Sequence, residues 1–194
     1  MRSFRLFSLS LCTASSLFIA GCQLKPTTPP SIQTTLLLDT QNQFQLNGKI
    51  GVRTPQQSGS AFFTWQQTGE DFELELTGML GIGKTQISGH SGRVTLNSAK
   101  TGLIEADSPE ELLQRATGWQ APITHLVDWV QARPANNHAR TKQDHLGRLV
   151  QTIEDDWTVD LSYTDQDTQP NRLILKQNLA NGAENRITML IQNR

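Results

Sequence analysis

Cysteine is scarce in this sequence, which excludes a fold held together by disulfides. Of 194 residues only Cys12 and Cys22 carry thiols, and Cys12 lies in the apolar run Leu6–Ala20. Two arginines precede this run, which is too short to span a bilayer well and ends in small residues, as is typical of a secretory signal peptide. We therefore predict a signal peptide over residues 1–21 and a mature chain that has no cysteine pair to oxidise.

An excess of positive charge is also missing. The chain has 17 basic and 18 acidic side chains, a net charge of −1. Loss of Arg2 and Arg5 with the signal peptide leaves 15 basic side chains and a net charge of −3. Nucleic acid is therefore not indicated as a partner, because its phosphates require a basic surface. The 173 residues from 22 to 194 are enough for a domain to bury about 70% of its unfolded surface.

The end of the apolar run predicts a lipid anchor. Ile19–Cys22 resembles a bacterial lipobox, in which the chain is cut before the cysteine and the thiol is lipidated. A chance cysteine after an ordinary signal peptide is the alternative. Gln23 stands where an aspartate retains enterobacterial lipoproteins at the inner membrane, so the resemblance implies an outer-membrane anchor. Residues 22–31 contain three prolines and are interpreted as a tether, and residues 32–194 as a single domain, opened by a short helix at Ile32–Leu38.

Alternation of apolar and polar side chains recurs along the mature chain. A period of two is typical of strands that are wetted on one face, and such strands belong in antiparallel sheets. The pattern predicts strands near residues 44–53, 60–67, 72–77, 85–88, 92–96, 102–106, 146–153, 157–163, 172–177 and 185–191.

Helical signals interrupt these strands in the middle of the chain. Ser108 is a predicted N-cap, followed by a proline at the first turn and a glutamate three residues on, and Gly118 ends this helix. A second helix is predicted from near Pro122 until before Pro134, and residues 136–144 are a predicted polar loop. A long curved antiparallel sheet with helices packed over one mouth satisfies this order.

The octapeptide Gly78–Thr85 matches the phosphate-loop pattern G-x-x-x-x-G-K-[ST], but its context argues against nucleotide binding. That pattern requires a buried parallel strand before it and a helix after it. Here an alternating strand enters, and the following residues contain two glycines and no apolar helical stripe. We interpret the segment as a connection between strands with Met79, Leu80 and Ile82 at its tip. Such side chains either fold back over the sheet or contact lipid or a partner.

Catalytic and metal-binding patterns are not found. The four histidines, His90, His125, His138 and His145, lie on different segments without the spacing of a zinc site. The adjacent carboxylates of Glu73 and Glu75 fall on the wet face of a strand, and Glu154–Asp156 is interpreted as a solvated turn. We predict no enzyme, no metal and no cofactor.

Several short motifs, in the same order along nearly all of the mature chain, resemble the outer-membrane lipoprotein LolB family of Gram-negative bacteria. They are Gly48–Arg53, Phe63–Gly69, Leu76–Gly81, Thr117–Trp119, Pro122, Leu126–Val130 and Asp156–Trp157. The resemblance implies a mainly β fold: a half-open antiparallel β-barrel with a helical lid over an apolar cavity, as in the periplasmic carrier LolA. It also implies a monomer, anchored through Cys22 and facing the periplasm, that accepts triacylated lipoproteins from LolA and inserts them into the inner leaflet of the outer membrane.

The same resemblance indicates site residues. Leu80 matches a protruding leucine that serves delivery in the family, although Met79 stands where the family has proline. The candidate acyl-binding cavity is lined by Phe63, Trp65, Leu74, Leu76, Trp129 and Trp157. From the residues alone, an ordinary packed core is the alternative, as is a lipid-anchored module that binds another amphiphile without carrier-coupled transfer. Candidates for docking an acidic carrier are Lys49, Arg53, Arg93 and Lys100.

Overall fold

The computed structural model describes residues 42–78, 83–90 and 92–194. The predicted signal peptide, Cys22, the tether and the helix at Ile32–Leu38 lie outside these residues, as do Met79, Leu80 and Ile82. Among the helices in the described part of the chain, none is both long and apolar enough to cross a bilayer.

The described residues form one antiparallel sheet in which eleven strands are resolved. The first six strands are β1 (Gln43–Arg53), β2 (Ser58–Thr68), β3 (Asp71–Thr77), β4 (Lys84–His90), β5 (Arg93–Ser98) and β6 (Gly102–Ala106). The last five are β7 (Arg140–Gln143), β8 (Leu149–Glu154), β9 (Trp157–Ser162), β10 (Arg172–Asn178) and β11 (Glu184–Asn193).

The order of the strands leaves the sheet open. It runs β6-β5-β4-β3-β2-β1-β11-β10-β9-β8-β7, so the first and last strands pair in the middle while β6 and β7 form the edges. The prediction of a mainly β, half-open antiparallel fold is confirmed. Most strands alternate between a buried and an exposed face; on β2, for example, Ala61, Phe63 and Trp65 are buried between exposed neighbours.

One glycine permits a close approach at the centre of the sheet. A Cβ atom at Gly48 would lie 1.9 Å from the carbonyl oxygen of Leu190 on β11. The β1–β11 register shifts at this point, between Asn47 and Gly48. A larger residue would therefore push the two central strands apart.

The first predicted helix, α1 (Pro109–Thr117), begins and ends as expected. The hydroxyl of Ser108 accepts a hydrogen bond from the Glu111 amide at 3.1 Å, and the Glu111 carboxylate accepts one from the Asp107 amide at 3.0 Å. The pair is a variant of the capping box, in which the glutamate accepts from the amide of the residue before the N-cap rather than from that of the N-cap itself. Gly118 follows in the left-handed conformation, with φ of 79°.

The prediction of a long second helix is wrong, because α2 spans only Leu126–Trp129. Between Pro122 and α2 the amides of His125 and Leu126 donate to carbonyls three residues back, and that of Ile123 to the carbonyl of Ala121. These are tight turns rather than α-helical bonds. Ile123, Leu126 and Val130, whose spacing suggested one side of a helix, pack into the core from these turns and from the residues of and beside α2.

The predicted polar loop over residues 136–144 also needs correction, since Arg140–Gln143 forms strand β7. All four of its residues are exposed, and they pair with β8 at the edge of the sheet. An edge strand with no buried face has no alternating apolar pattern, so no strand is predicted here.

Candidate functional site

A cavity of about 240 Å³ lies between the inner face of the sheet and residues 107–139, which contain α1 and α2 and connect β6 to β7. We call residues 107–139 the insert. The sheet contributes apolar side chains from β1 to β5 and from β11. Those that line the cavity are Ile50, Val52, Phe63, Phe72, Leu74, Leu76, Ile87, Leu96, Ile187 and Met189. The insert covers them with Pro109, Leu112, Leu113, Ala116, Thr117, Trp119, Ile123 and Leu126.

The cavity opens toward one end of the strands. Gln57–Gly59 and Ser98–Thr101, which also line it, lie in or beside the β1–β2 and β5–β6 connections. The register pairs Thr77 with Lys84 and Thr85 with Ser98, so the β3–β4 connection lies between these two at the same end. We call this end of the sheet the mouth.

The lining chemistry suits an apolar guest. No acidic side chain, histidine or cysteine is present among the described residues that line the cavity, and Lys100 is the one cation among them. The remaining polar groups are hydroxyls and one amide near the connections. Such a surface can take up hydrocarbon and exclude water.

A buried carboxylate fixes the segment that follows α2. Glu154, at the end of β8, is 5% exposed, and one of its oxygens accepts hydrogen bonds from the Trp129 indole at 2.7 Å and the Thr152 hydroxyl at 3.0 Å. Its other oxygen accepts from the amides of Ala135 and Asn136, both at 3.0 Å. The prediction that this residue belongs to a solvated turn is wrong for Glu154, which ties the insert to the sheet.

Comparison with known proteins identifies the family. A sequence model of the outer membrane lipoprotein LolB family matches residues 42–193, the whole of the sheet and its insert. The chain belongs to the LolB family. It is 37% identical over 158 residues to the outer-membrane lipoprotein LolB of Stutzerimonas stutzeri, covering 79% of this chain and 74% of the relative. It is 40% identical over 142 residues to the LolB of Pseudomonas putida F1, covering 71% and 69%.

A solved structure, a LolA superfamily protein from Nitrosomonas europaea, is also similar, with a TM-score of 0.44 and 14% identity over 84% of this chain and 94% of the other. Membership of the LolB family makes this chain an outer-membrane lipoprotein. As a member of the family it receives lipoproteins from LolA for insertion into the outer membrane, and it is a receptor rather than an enzyme.

The structure separates the six predicted cavity residues into two groups. Phe63, Leu74 and Leu76 line the cavity. Trp65, Trp129 and Trp157 are not among its lining residues and belong to the packed core, with 7%, 0% and 2% of their surface exposed. Their indoles are used in packing: Trp65 meets Phe44 edge-on, with ring centroids 4.9 Å apart.

The predicted cavity residues include none from α1. The sequence does predict Leu112, Leu113 and Ala116 as the apolar side of this helix, and all three line the cavity. What the sequence did not show is which strands the helix covers. The main contacts of α1 are with β6 and β5, so the helix covers the half of the sheet that precedes it in the chain.

The phosphate-loop match has no nucleotide-binding context in the structure. Lys84 begins β4, which continues to His90, so a strand and not a helix follows the glycines. The ammonium of Lys84 lies 2.6 Å from the carboxylate of Glu75 on the outer face. In the described ranges, 42–78, 83–90 and 92–194, no three potential metal ligands come together.

Proposed function

We propose that the cavity beneath the insert receives the acyl chains of lipoproteins that LolA delivers, and that the β3–β4 connection at its mouth assists their release into the membrane. The observation that carries this proposal is the cavity itself, which has an apolar lining, is covered by the insert and opens at the mouth. Phe63, Leu74 and Leu76 would contact the acyl chains directly.

Acyl chains require such a shelter during transfer. Each methylene group is worth about 0.8 kcal/mol when it is removed from water, so three chains cannot cross an aqueous space unprotected. A surface of hydrocarbon side chains replaces the membrane without any covalent step. Transfer can then proceed from carrier to receptor to bilayer if each successive site binds the chains more favourably.

The position of the β3–β4 connection supports its role in release. Gly78 and Gly83 have positive φ angles of 85° and 49°, and the amide of Gly78 donates to the carbonyl of Gly83 at 3.3 Å. The two ends of the connection therefore meet at the mouth of the cavity. Between them the sequence places Met79, Leu80 and Ile82, which would contact the hydrocarbon of the bilayer.

We also propose that Cys22 carries the acyl anchor and that the protein acts as a monomer. The lipobox resemblance supports the first proposal, and the family name requires a lipid-modified chain. The residues between Cys22 and the start of β1 at Gln43 would then connect the anchor to the domain.

Replacing Leu80 with glutamate is expected to separate uptake from delivery. A charged tip is costly to insert into hydrocarbon, by roughly 2 to 3 kcal/mol or more, so release into liposomes should slow at least tenfold. Uptake from a LolA–lipoprotein complex in solution, measured by co-purification with a Cys22→Ala form, should remain unchanged. Leu146→Glu is the control, because Leu146 is 45% exposed in the β7–β8 connection, at the end of the sheet opposite the mouth.

Failure of the wild-type Cys22→Ala form to take lipoprotein from LolA at any ratio would overturn the proposal. A module that binds another amphiphile, without coupling to a carrier, would then be the better account. Equal delivery by Leu80→Glu and Leu146→Glu would remove the connection from the mechanism while leaving the cavity in place.

A further inference from the structure

The outer face of the sheet carries exposed apolar side chains that the cavity does not use. The register places Thr77, Phe62, Lys49, Leu190 and Arg172 side by side across β3, β2, β1, β11 and β10. Phe62 is 60% exposed and Leu190 is 42% exposed, although both lie on central strands. The row begins at the root of the β3–β4 connection, because Thr77 directly precedes Gly78.

Cations without ionic partners accompany these two side chains. Lys49 stands between Phe62 and Leu190, Arg172 lies beyond Leu190, and Arg53 projects from β1 on the same face, four residues after Lys49. Within the described residues none of these three cations forms an ion pair. By contrast, Lys84, Lys176 and Arg186 of the same face pair with Glu75, Asp160 and Glu184.

Of the five strands in this row, β3 carries Asp71, Glu73 and Glu75, the last of which pairs with Lys84. The other four strands are almost free of acidic residues. β1, β2 and β10 contain none, and the single one on β11 is Glu184 at its first position, bound to Arg186. We call Lys49, Arg53, Phe62, Arg172 and Leu190 the outer patch. Its positive charge contrasts with the net charge of −3 of the mature chain.

We propose that the outer patch is a membrane-docking surface that rests on anionic phospholipid headgroups while cargo is released. The proposal rests on the proposed function, in which the β3–β4 connection enters the bilayer at the mouth. Phe62 and Leu190 would enter the headgroup region, and the three cations would contact phosphates around them. Each cation near an anionic surface strengthens its binding about fivefold, so three give roughly a hundredfold.

The arrangement favours a lipid surface over a protein partner. Single exposed apolar side chains are common and need no explanation, but here they alternate with unpaired cations whose aliphatic stems can lie along them. The patch is continuous with the root of the connection that would touch the same membrane. The family places the chain at a membrane permanently, so an anionic surface is always within reach.

Contact with lipid is tested directly by an environment-sensitive label. Phe62→Cys and Leu190→Cys are labelled with a nitrobenzoxadiazole dye in the full-length acylated protein, reconstituted into liposomes with and without about a third of phosphatidylglycerol. A label at Leu146→Cys serves as the control, because Leu146 is an exposed leucine in the β7–β8 connection, away from the patch and the mouth. We expect a blue shift and protection from an aqueous quencher at 62 and 190 only, stronger with the anionic lipid and weakened by salt. Equal quenching at all three positions would overturn the proposal.

Neutralising the cations separates this proposal from the proposed function. The triple variant K49Q/R53Q/R172Q should take up lipoprotein from LolA as the wild type does, yet deliver it to the anionic liposomes at least tenfold more slowly. The pair-forming cations provide a matched control in K84Q/K176Q/R186Q, which should deliver with little loss.

Reduced uptake with normal delivery would show that the patch binds the carrier instead, and unchanged uptake and delivery would show that it binds neither. Lack of uptake by the wild type would count against the cavity, while the label result would still decide the patch.

Discussion

Replacing Glu154 with leucine is expected to lower the free energy of unfolding by about 3 kcal/mol or more. The leucine leaves four donors without their acceptor, on the Trp129 indole, the Thr152 hydroxyl and the amides of Ala135 and Asn136. Each buried donor that loses its partner costs about 1 to 3 kcal/mol, although neighbouring costs do not add fully. For a domain of this size the midpoint of thermal unfolding should fall by about 6 to 12 °C.

Two further variants show whether the effect arises from these hydrogen bonds. Glu73→Leu makes the same change on the exposed face of β3 and should shift the midpoint little. Glu154→Gln keeps the shape and one acceptor oxygen, so its loss should be intermediate. A midpoint for Glu154→Leu within about 2 °C of the wild type would show that the insert does not depend on this carboxylate.

The second large effect is expected on uptake of cargo. Leu74 lines the cavity and is only half-buried, so Leu74→Glu should fold while placing a carboxylate among the acyl chains. Cargo binding would remove that carboxylate from water, at a cost of several kcal/mol unless it takes up a proton. Transfer of lipoprotein from LolA, scored by co-purification, should therefore fall at least tenfold.

The matched control for that variant is Asn97→Glu. Asn97 is exposed on β5, on the opposite face of the same half of the sheet. The substitution Asn97→Glu adds the same charge to the protein as Leu74→Glu does, but outside the cavity. Equal transfer by the two variants, with both folded, would mean that the acyl chains bind elsewhere.

The sheet was predictable because most of its strands have one wet face. The alternation along Phe44–Arg53 and Ser60–Gln67 located β1 and β2 to within about two residues, and the glycines marked the turns. Strand β7 was not predicted, because none of its side chains is buried and its sequence therefore has no apolar alternation. Neighbouring pairs in the strand order could also be expected, since most connections are short hairpins. Pairing of β1 with β11, by contrast, joins opposite ends of the chain and has no local signal.

The site was predictable only with the help of the family resemblance. Alternation places Phe63, Leu74 and Leu76 on the inward face of β2 and β3, and the resemblance indicated that this face borders a cavity; that these residues bind acyl chains stays a prediction. Trp65 and Trp157 also alternate inward, and Trp129 is buried on α2, but inward-facing positions include both the cavity wall and the packed core beside it. Which of the two a residue joins depends on where the insert lies, and this is a tertiary property. Glu154 was misassigned because a carboxylate beside two aspartates has the composition of a turn, whereas its donors are distant in the sequence.

Site-specific photo-crosslinking between cavity residues and bound acyl chains tests the central claim most directly. A benzophenone amino acid is placed at Leu74, Ile87 or Ile123 in the cavity, and at Asn97 on the outer face as the control. The proteins are loaded with a lipoprotein that carries labelled acyl chains and are then irradiated. We predict that label is captured at the three cavity positions and not at Asn97. Capture at Asn97 alone, or none at Leu74, Ile87 and Ile123 in protein that has been shown to hold cargo, would contradict the account.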